Sequence, residues 1–216
     1  MTEKRSAALA VFDFDGTMIP GDSILKFVGL ARRLHAMSGM EFAGLLTSVV
    51  SWLMGKTTDA EIKTRAFRFY FRLPEDRRMA LDRAFAEETL LPMVYPAARR
   101  QLAKEKEAGK VTLLLSASTE NYMRYVAEGL GFDGLICTRL EDEAVRRNCK
   151  GDEKPGRLRE WLERQGIEAD FAASSAYGDS KSDLPILRLC GQGYAVNPKK
   201  KLRQAAPDLP RLKWTK

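Results

Sequence analysis

Asp13 and Asp15 stand two residues apart at the end of a short apolar run, Ala8-Leu9-Ala10-Val11-Phe12, and are followed by Gly16-Thr17. In an extended chain this spacing puts both carboxylates on one side, and the glycine lets the backbone turn sharply behind them. Two acids so close repel one another unless a cation or a proton compensates. A second acidic group, Gly178-Asp179-Ser180-Lys181-Ser182-Asp183, follows another apolar run at residues 171–177. An all-oxygen site built from such acids prefers a hard cation, and Mg²⁺ keeps several waters beside one or two carboxylates. Ser116, with Ala117 and Ser118 after it, closes a third apolar run, where a hydroxyl and backbone N–H groups at a helix start make a phosphate cradle. Lys154 precedes a further helical pattern. Each group alone has a plainer account: turn carboxylates, helix caps at Asp179, Asp183 or Ser118, and a surface lysine.

The elements that must position these groups follow from the same runs. Apolar stretches at residues 8–12, 111–115, 134–137, 171–177 and 194–196 suit strands buried on both faces. Helical patterns lie between them at residues 119–130, 155–165 and 182–189. Strands alternating with helices predict an α/β fold with a parallel sheet covered by helices, and ligands of such sheets sit beyond the carboxyl ends of the strands. Residues 22 to about 108 break the rhythm with helical spacing alone: Ile24, Phe27, Val28, Ala31, Leu34, then Phe42, Leu45, Leu46, Val49, Val50, Leu53. Asp22 is placed to cap the first of these helices. The expected organisation is a core of residues 1–20 and 95–216, interrupted after its first strand by a helical cap of residues 21–94.

The chain has 216 residues, 44% of them hydrophobic and 30% charged, ample for a packed core without disulfides and unlike a disordered chain. Three widely spaced cysteines, Cys137, Cys149 and Cys190, form no CxxC pair and are expected as reduced buried thiols. No signal-peptide core is visible, so a cytoplasmic location is expected. A formal net charge of +7 favours anionic partners in general; nucleic-acid binding would rest on charge alone and is not expected. Part of that charge lies at Lys199, Lys200, Lys201, Arg203, Arg211, Lys213 and Lys216, expected as a solvated tail. Residues 42–54 carry no charge but are shorter than the ~20 a membrane span needs, so a packed core helix of the insertion is expected, with a helix lying against a membrane surface as the alternative. His35, the one histidine, falls in a helical pattern and leaves acid–base chemistry to carboxylates.

Taken together and in order, the four elements resemble the haloacid dehalogenase-like superfamily of phosphatases, over residues 8 to 198. The insertion after the first strand is similar to the cap of its phosphoserine-phosphatase-like subgroup (subfamily IB). So are Asp22-Ser23, Asn148-Cys149-Lys150-Gly151-Asp152-Glu153-Lys154, Tyr177-Gly178-Asp179-Ser180 and Ala195-Val196-Asn197-Pro198. The resemblance implies a Rossmann-like core and a Mg²⁺-dependent phosphomonoesterase working through an aspartyl-phosphate. It implies Asp13 as nucleophile and Asp15 as acid, then base. Asp13, the Asp15 carbonyl and Asp179 would hold the metal, Asp183 would complete or orient that shell, and Ser116, with the Ala117 backbone, and Lys154 would bind the phosphoryl oxygens. Asp15 must spend part of such a cycle protonated, so its pKa is expected to be raised. The segment of residues 138–147 lacks the glycines that relatives often carry there, and a trimmed hairpin is expected.

The substrate is less legible. Asp22 lies nine positions after Asp13, where the phosphoserine phosphatases have an acid that reads an amine, but it is equally placed as a helix cap. The cap cations Lys63, Arg65, Arg68 and Arg72 fall near helical spacing; Arg65 and Arg68 are taken as substrate-binding candidates. A small phosphoserine- or histidinol-phosphate-like metabolite is the expected substrate. A lipid phosphate such as phosphatidylglycerol phosphate, met at an anionic membrane surface, is the alternative, with residues 42–54, Trp52 and the basic tail behind it. A P-type pump would need spans that are absent, and a non-catalytic phosphate-binding module would be expected to lack one of the four elements.

Overall fold

The structure, a computed structural model, describes residues 5–215. Residues 1–4 of the expected core and Lys216 of the basic tail lie outside the described residues. The strands β1 (Arg5–Phe12), β2 (Val111–Thr119), β3 (Gly134–Glu141), β4 (Ala144–Arg146), β5 (Ile167–Gly178), β6 (Gln192–Val196) and β7 (Arg211–Leu212) form one sheet in the order β4-β3-β2-β1-β5-β6-β7. All neighbours are parallel except the β3–β4 hairpin. The alternation of β1 explains its place: Ala10 and Phe12 feed the core on one face of the sheet, Leu9 and Val11 the core on the other.

β1 lies between β2 and β5, so the chain leaves its carboxyl end toward β2 on one side while β5 closes the other. That is a topological switch point, and it opens a crevice beyond the strand ends. Around the sheet pack α6 (Pro96–Glu107), α7 (Glu120–Leu130), α8 (Glu153–Gln165), α9 (Leu184–Leu189) and α10 (Lys200–Ala205). Between β1 and α6 the elements among the described residues are helices and no strand: α1 (Ser23–Arg33), α2 (Gly39–Leu53), α3 (Asp59–Ala66), α4 (Arg68–Phe71) and α5 (Glu75–Ala84), the last running on through a π-helical turn at Phe85–Leu90. Phe27 of α1 ties this insertion down, its ring 5.2 Å from Phe67, 5.0 Å from Phe85 and 5.4 Å from Tyr122 of α7.

The trimmed hairpin is present. Asp142 and Glu143, both with positive φ (48° and 57°), make the two-residue turn between β3 and β4, the backbone twist that tight hairpins need.

Two expectations are corrected. The helix over residues 42–54 is not a packed core helix: in α2 only Leu45 and Ser48 are buried, while Met40, Leu46, Val50 and Leu53, and Met54 just behind them, are exposed. α3 packs against one side of α2 and nothing covers the other among the described residues. The basic tail is not simply solvated. Arg211–Leu212 adds a strand to β6, and Trp214 is buried with its ring 5.8 Å from Tyr177. Asn197 clamps this end, donating to the Trp214 carbonyl (2.9 Å) and accepting from its N–H (3.1 Å).

Candidate active site

Four chain segments converge at the carboxyl ends of β1, β2 and β5. β1 delivers Asp13 as its ladder ends, with the Asp13 N–H still donating to the Tyr177 carbonyl of β5 (2.9 Å). Behind Asp15, Gly16 turns with φ +81°, and a Cβ there would sit 2.1 Å from an Asp179 carboxylate oxygen. Glycine is therefore needed twice over, for the turn and for the close approach of the β5 loop. The β5 loop brings Asp179 and Asp183. At the end of β2 the pairing with β3 skips between Ser116 and Thr119, which takes the Ala117–Ser118 segment out of the ladder. Lys154 comes from the first turn of α8.

Lys154 is the hub. It is almost wholly buried and donates to Asp13 Oδ1 (2.9 Å), Asp183 Oδ1 (2.6 Å) and the Leu115 carbonyl (3.2 Å). Thr17 Oγ1 donates to the other Asp13 oxygen (3.0 Å). Asp183 also accepts from the Ser180 N–H (3.0 Å) and Oγ (2.7 Å), so it caps its own turn while pairing with the lysine. Asp179 Oδ2 accepts from Lys199 Nζ (2.8 Å).

Asp15 leaves the same strand end and turns to different partners. Its Oδ1 accepts from the Ser23 N–H (2.7 Å), and its Oδ2 from the Ser23 hydroxyl (3.0 Å) and the Ser118 hydroxyl. Tyr122 Oη lies 3.1 Å from Ser23 Oγ behind them. Ser118 thus serves Asp15 rather than capping α7, whose cap residue is Thr119.

The electrostatics divide accordingly. Burial, then the charge of Asp183, pushes Asp13 above the usual carboxylate range against the pull of Lys154. Burial also raises Asp179. Asp183 is burdened by burial too, but Lys154 and the Ser180 groups outweigh it and hold the carboxyl below its ordinary value. Burial, with a smaller contribution from Asp22, lifts Asp15 to about 6.

Carboxylate oxygens of Asp13, Asp179 and Asp183 all lie within 4.8 Å of one another. Burial raises two of the three acids even with Lys154 and Lys199 beside them, and three carboxylates against two ammonium groups leave negative charge over. Hard oxygen donors converging on one point, with surplus negative charge, fit Mg²⁺. These three acids are the residues placed to hold it.

The other expected site residues divide. Ser116 is buried at the β2 end, its Oγ accepting from the Ser118 N–H (3.0 Å). Asp22 caps α1, accepting from the Leu25 N–H (3.1 Å), and remains exposed. Arg65 donates to Ser48 Oγ (2.7 Å) on α2, and Arg68 is exposed. Neither has a hydrogen bond to the strand-end cluster among the described residues. The cap cation that does reach it is Lys63 of α3, donating to the Ala117 carbonyl (2.6 Å) and Asn148 Oδ1 (2.7 Å), with its pKa brought down to about 8 by burial and Lys150. Thr17, Ser23, Ser118 and Lys199 have no site role in the sequence reading, whereas Lys63 is among the cap cations that it sets against an anionic substrate. For Ser23 a signal existed in the Asp22-Ser23 pair. For Lys199 none did, because its partner lies 20 residues earlier.

The haloacid dehalogenase-like hydrolase family model matches residues 10–188, a span that contains this whole cluster except Lys199. The chain belongs to that family. Its curated relatives include a histidinol-phosphatase of Neisseria meningitidis serogroup C (strain 8013), 30% identical over 217 residues, covering 93% of this hydrolase and 95% of that protein. Another is the phosphoserine phosphatase SerB1 of Mycobacterium tuberculosis H37Rv, 26% identical over 213 residues, covering 93% of this chain and 68% of that one. Among solved structures, a protein of unknown function from Bordetella pertussis Tohama I superposes with a TM-score of 0.85 at 21% identity, over 97% of this hydrolase and 98% of that chain. At that identity the likeness is one of fold.

Proposed function

We propose that this hydrolase is a Mg²⁺-dependent phosphomonoesterase that transfers the phosphoryl group of a small metabolite to Asp13 and then to water. The observation that carries this is the division of two neighbouring carboxylates: Asp13 faces Lys154, Asp179 and Asp183, while Asp15 is hydrogen-bonded by hydroxyls and an N–H, with no cation on it, and is lifted to about 6. Pairs of acids pushed apart by their surroundings take different roles in catalysis.

Asp13 attacks phosphorus through a carboxylate oxygen, with Thr17 and Lys154 fixing the rotamer. The bond from phosphorus to the leaving oxygen breaks, and Asp15, protonated, supplies the proton that the departing alkoxide takes up. Asp15 is then a carboxylate and accepts a proton from the water that attacks the aspartyl-phosphate. Inorganic phosphate leaves and Asp13 is restored. Lys154 and the Ser116–Ala117 turn stabilise the equatorial oxygens. Mg²⁺, when bound, would supply the positive charge that lets an anionic phosphate approach a carboxylate.

The names of the relatives favour a small phosphorylated metabolite such as phosphoserine or histidinol phosphate. Both carry an amine, for which Asp22 offers an exposed carboxylate near Asp15. The direct test is phosphate release with Mg²⁺ across phosphoserine, histidinol phosphate, sugar phosphates, nucleotides and micellar phosphatidylglycerol phosphate, with Asp13→Asn as the blank. Turnover of one soluble amine-bearing ester, abolished in the blank, is expected; equal turnover by Asp13→Asn rejects the assignment.

A further inference from the structure

The outer face of α2 is apolar and uncovered. Leu46, Val50 and Leu53 recur at helical spacing, and their exposures of 52%, 56% and 72%, with 57% for Met54, put a continuous hydrophobic stripe in solvent. Exposed apolar residues scattered singly need no account, but a contiguous stripe on one helix marks a contact surface.

The charges around this stripe select what contacts it. Arg32 lies over the ring of Phe42 at the start of the helix, 5.3 Å from its centroid. Lys56 follows the last turn of α2, exposed, while Arg65 lies on the covered side of the helix, donating to the buried Ser48 Oγ (2.7 Å). Of the acids nearby, Glu41 pairs with Arg72 (2.8 Å) and Asp59 with Lys150 (2.5 Å), while Glu61 on α3 is taken up by the Thr58 cap and lies beside Arg65. Among the described residues, Arg32 and Lys56 have no carboxylate within ion-pair distance. An apolar stripe edged by unpaired cations is the pattern of a helix lying in the interface of an anionic bilayer, stripe toward the acyl chains and cations toward the headgroups. A second copy of this chain docked face to face would oppose like charges around the same stripe. No helix among the described residues is long and apolar enough to cross a membrane, so the contact is peripheral.

We infer that α2 is a docking surface for an anionic lipid bilayer. α3, packed against the covered side of α2, carries Lys63 to the Ala117 carbonyl, so α2 stands one helix away from the crevice. The surface is independent of the reaction and is tested without it.

The experiment is co-sedimentation of the full chain, as Asp13→Asn, with vesicles of phosphatidylglycerol and phosphatidylcholine against phosphatidylcholine alone. Light scattering of the vesicle-free protein runs in parallel. Binding to the anionic vesicles is expected, falling at least tenfold in Leu46→Glu/Leu53→Glu and roughly fivefold in Lys56→Ser, with unchanged far-UV circular dichroism. Raising the salt is expected to weaken it further. No sedimentation with anionic vesicles at low salt overturns the inference, as does equal binding to neutral ones. A dimer that Leu46→Glu/Leu53→Glu dissociates, without vesicle binding, also overturns it and assigns the stripe to self-association.

Discussion

The crevice at the strand ends and the outer face of α2 are opposite solutions to burial. In the crevice, charged groups are taken out of water: Lys154, Asp179 and Asp183 are nearly inaccessible, and each is held by a partner of opposite charge. On α2, apolar groups are left in water with no partner. Both arrangements cost folding free energy, about 1–3 kcal/mol per group for a poorly compensated buried carboxylate or an uncovered large apolar side chain. Natural sequences break local rules of this kind where something else depends on the broken rule. In the crevice the beneficiary is chemistry on phosphate; on α2 it is a surface that approaches the protein from outside.

Within the crevice the contrast repeats between Asp13 and Asp183, which share Lys154. Asp13 is raised and strained; Asp183 is lowered and satisfied. The first should matter to rate and the second to stability. Asp13→Asn is expected to lower kcat by more than ~10⁴-fold, with little loss of thermal stability because Lys154 keeps Asp183. Single-turnover phosphate release and a melting curve on the same preparation check both halves. Removing Mg²⁺ with a chelator should stop turnover by wild type, and adding it back should raise the melting temperature of wild type more than that of Asp13→Asn, since binding stabilises by mass action and one ligand is gone. An equal rise in both proteins would remove Asp13 from the ligand set.

Asp183→Asn should reverse the pattern. Deleting the satisfied partner of a buried lysine costs about 3 kcal/mol. Its carboxyl is lowered in the fold, so the stability it provides is present above the ordinary aspartate pKa and lost as pH falls through the folded value. Urea unfolding at pH 7.5 and pH 3 measures it: the gap between wild type and variant should be wider at the first than at the second. A wide gap at both would mean the cost is packing, not charge.

How much of this was legible beforehand depends on how local the cause is. Asp13, Asp15, Asp179 and Asp183 stand directly behind buried strands, so the apolar runs both predict the strands and place the acids at their ends. The two-residue hairpin was legible for the same reason, since a segment without spare residues has few ways to turn. The exposure of α2 was not: periodicity shows that one face of a helix is apolar, but whether that face is covered depends on helices folded against it from elsewhere in the chain. The partners of Asp15 were not legible either, because Ser23 and Ser118 reach it from α1 and β2, the second from 103 residues away. The tail strand at Arg211–Leu212 is too short for an alternation to show, and Trp214 is held there by Asn197 and Tyr177.

Asp15 offers a stability test with the opposite sign to that of Asp183. Its folded pKa, about 6, lies above the ordinary aspartate value of 3.8, so the folded protein binds more protons than the unfolded chain between those limits. Stability must then fall as pH rises from about 4 to about 6, by up to about 3 kcal/mol from this one group. Asp15→Asn removes the titration. Without added Mg²⁺, the variant should match wild type near pH 3.5 and exceed it by up to that amount at pH 7.5, while losing about 10²–10⁴ in kcat. A variant less stable than wild type at pH 7.5 would show that the Ser23 and Ser118 hydrogen bonds outweigh burial.

The smallest effect is expected at Lys199, and it sharpens the comparison most finely. Its side chain is 64% exposed yet pairs with Asp179, which is 3% exposed, at 2.8 Å. An ion pair with one partner in solvent contributes about 0–1 kcal/mol, so Lys199→Ala should barely move the melting temperature. Asp179 is also one of the three acids that fit Mg²⁺, and a lysine on its Oδ2 competes with the metal for that oxygen. Removing the lysine should therefore lower the Mg²⁺ concentration for half-maximal activity, by up to about fivefold for 1 kcal/mol of competition. If half-saturation instead moves to higher Mg²⁺, Lys199 orients Asp179 for the metal rather than blocking it. The crevice would then be preorganised at the tail as well as at Lys154.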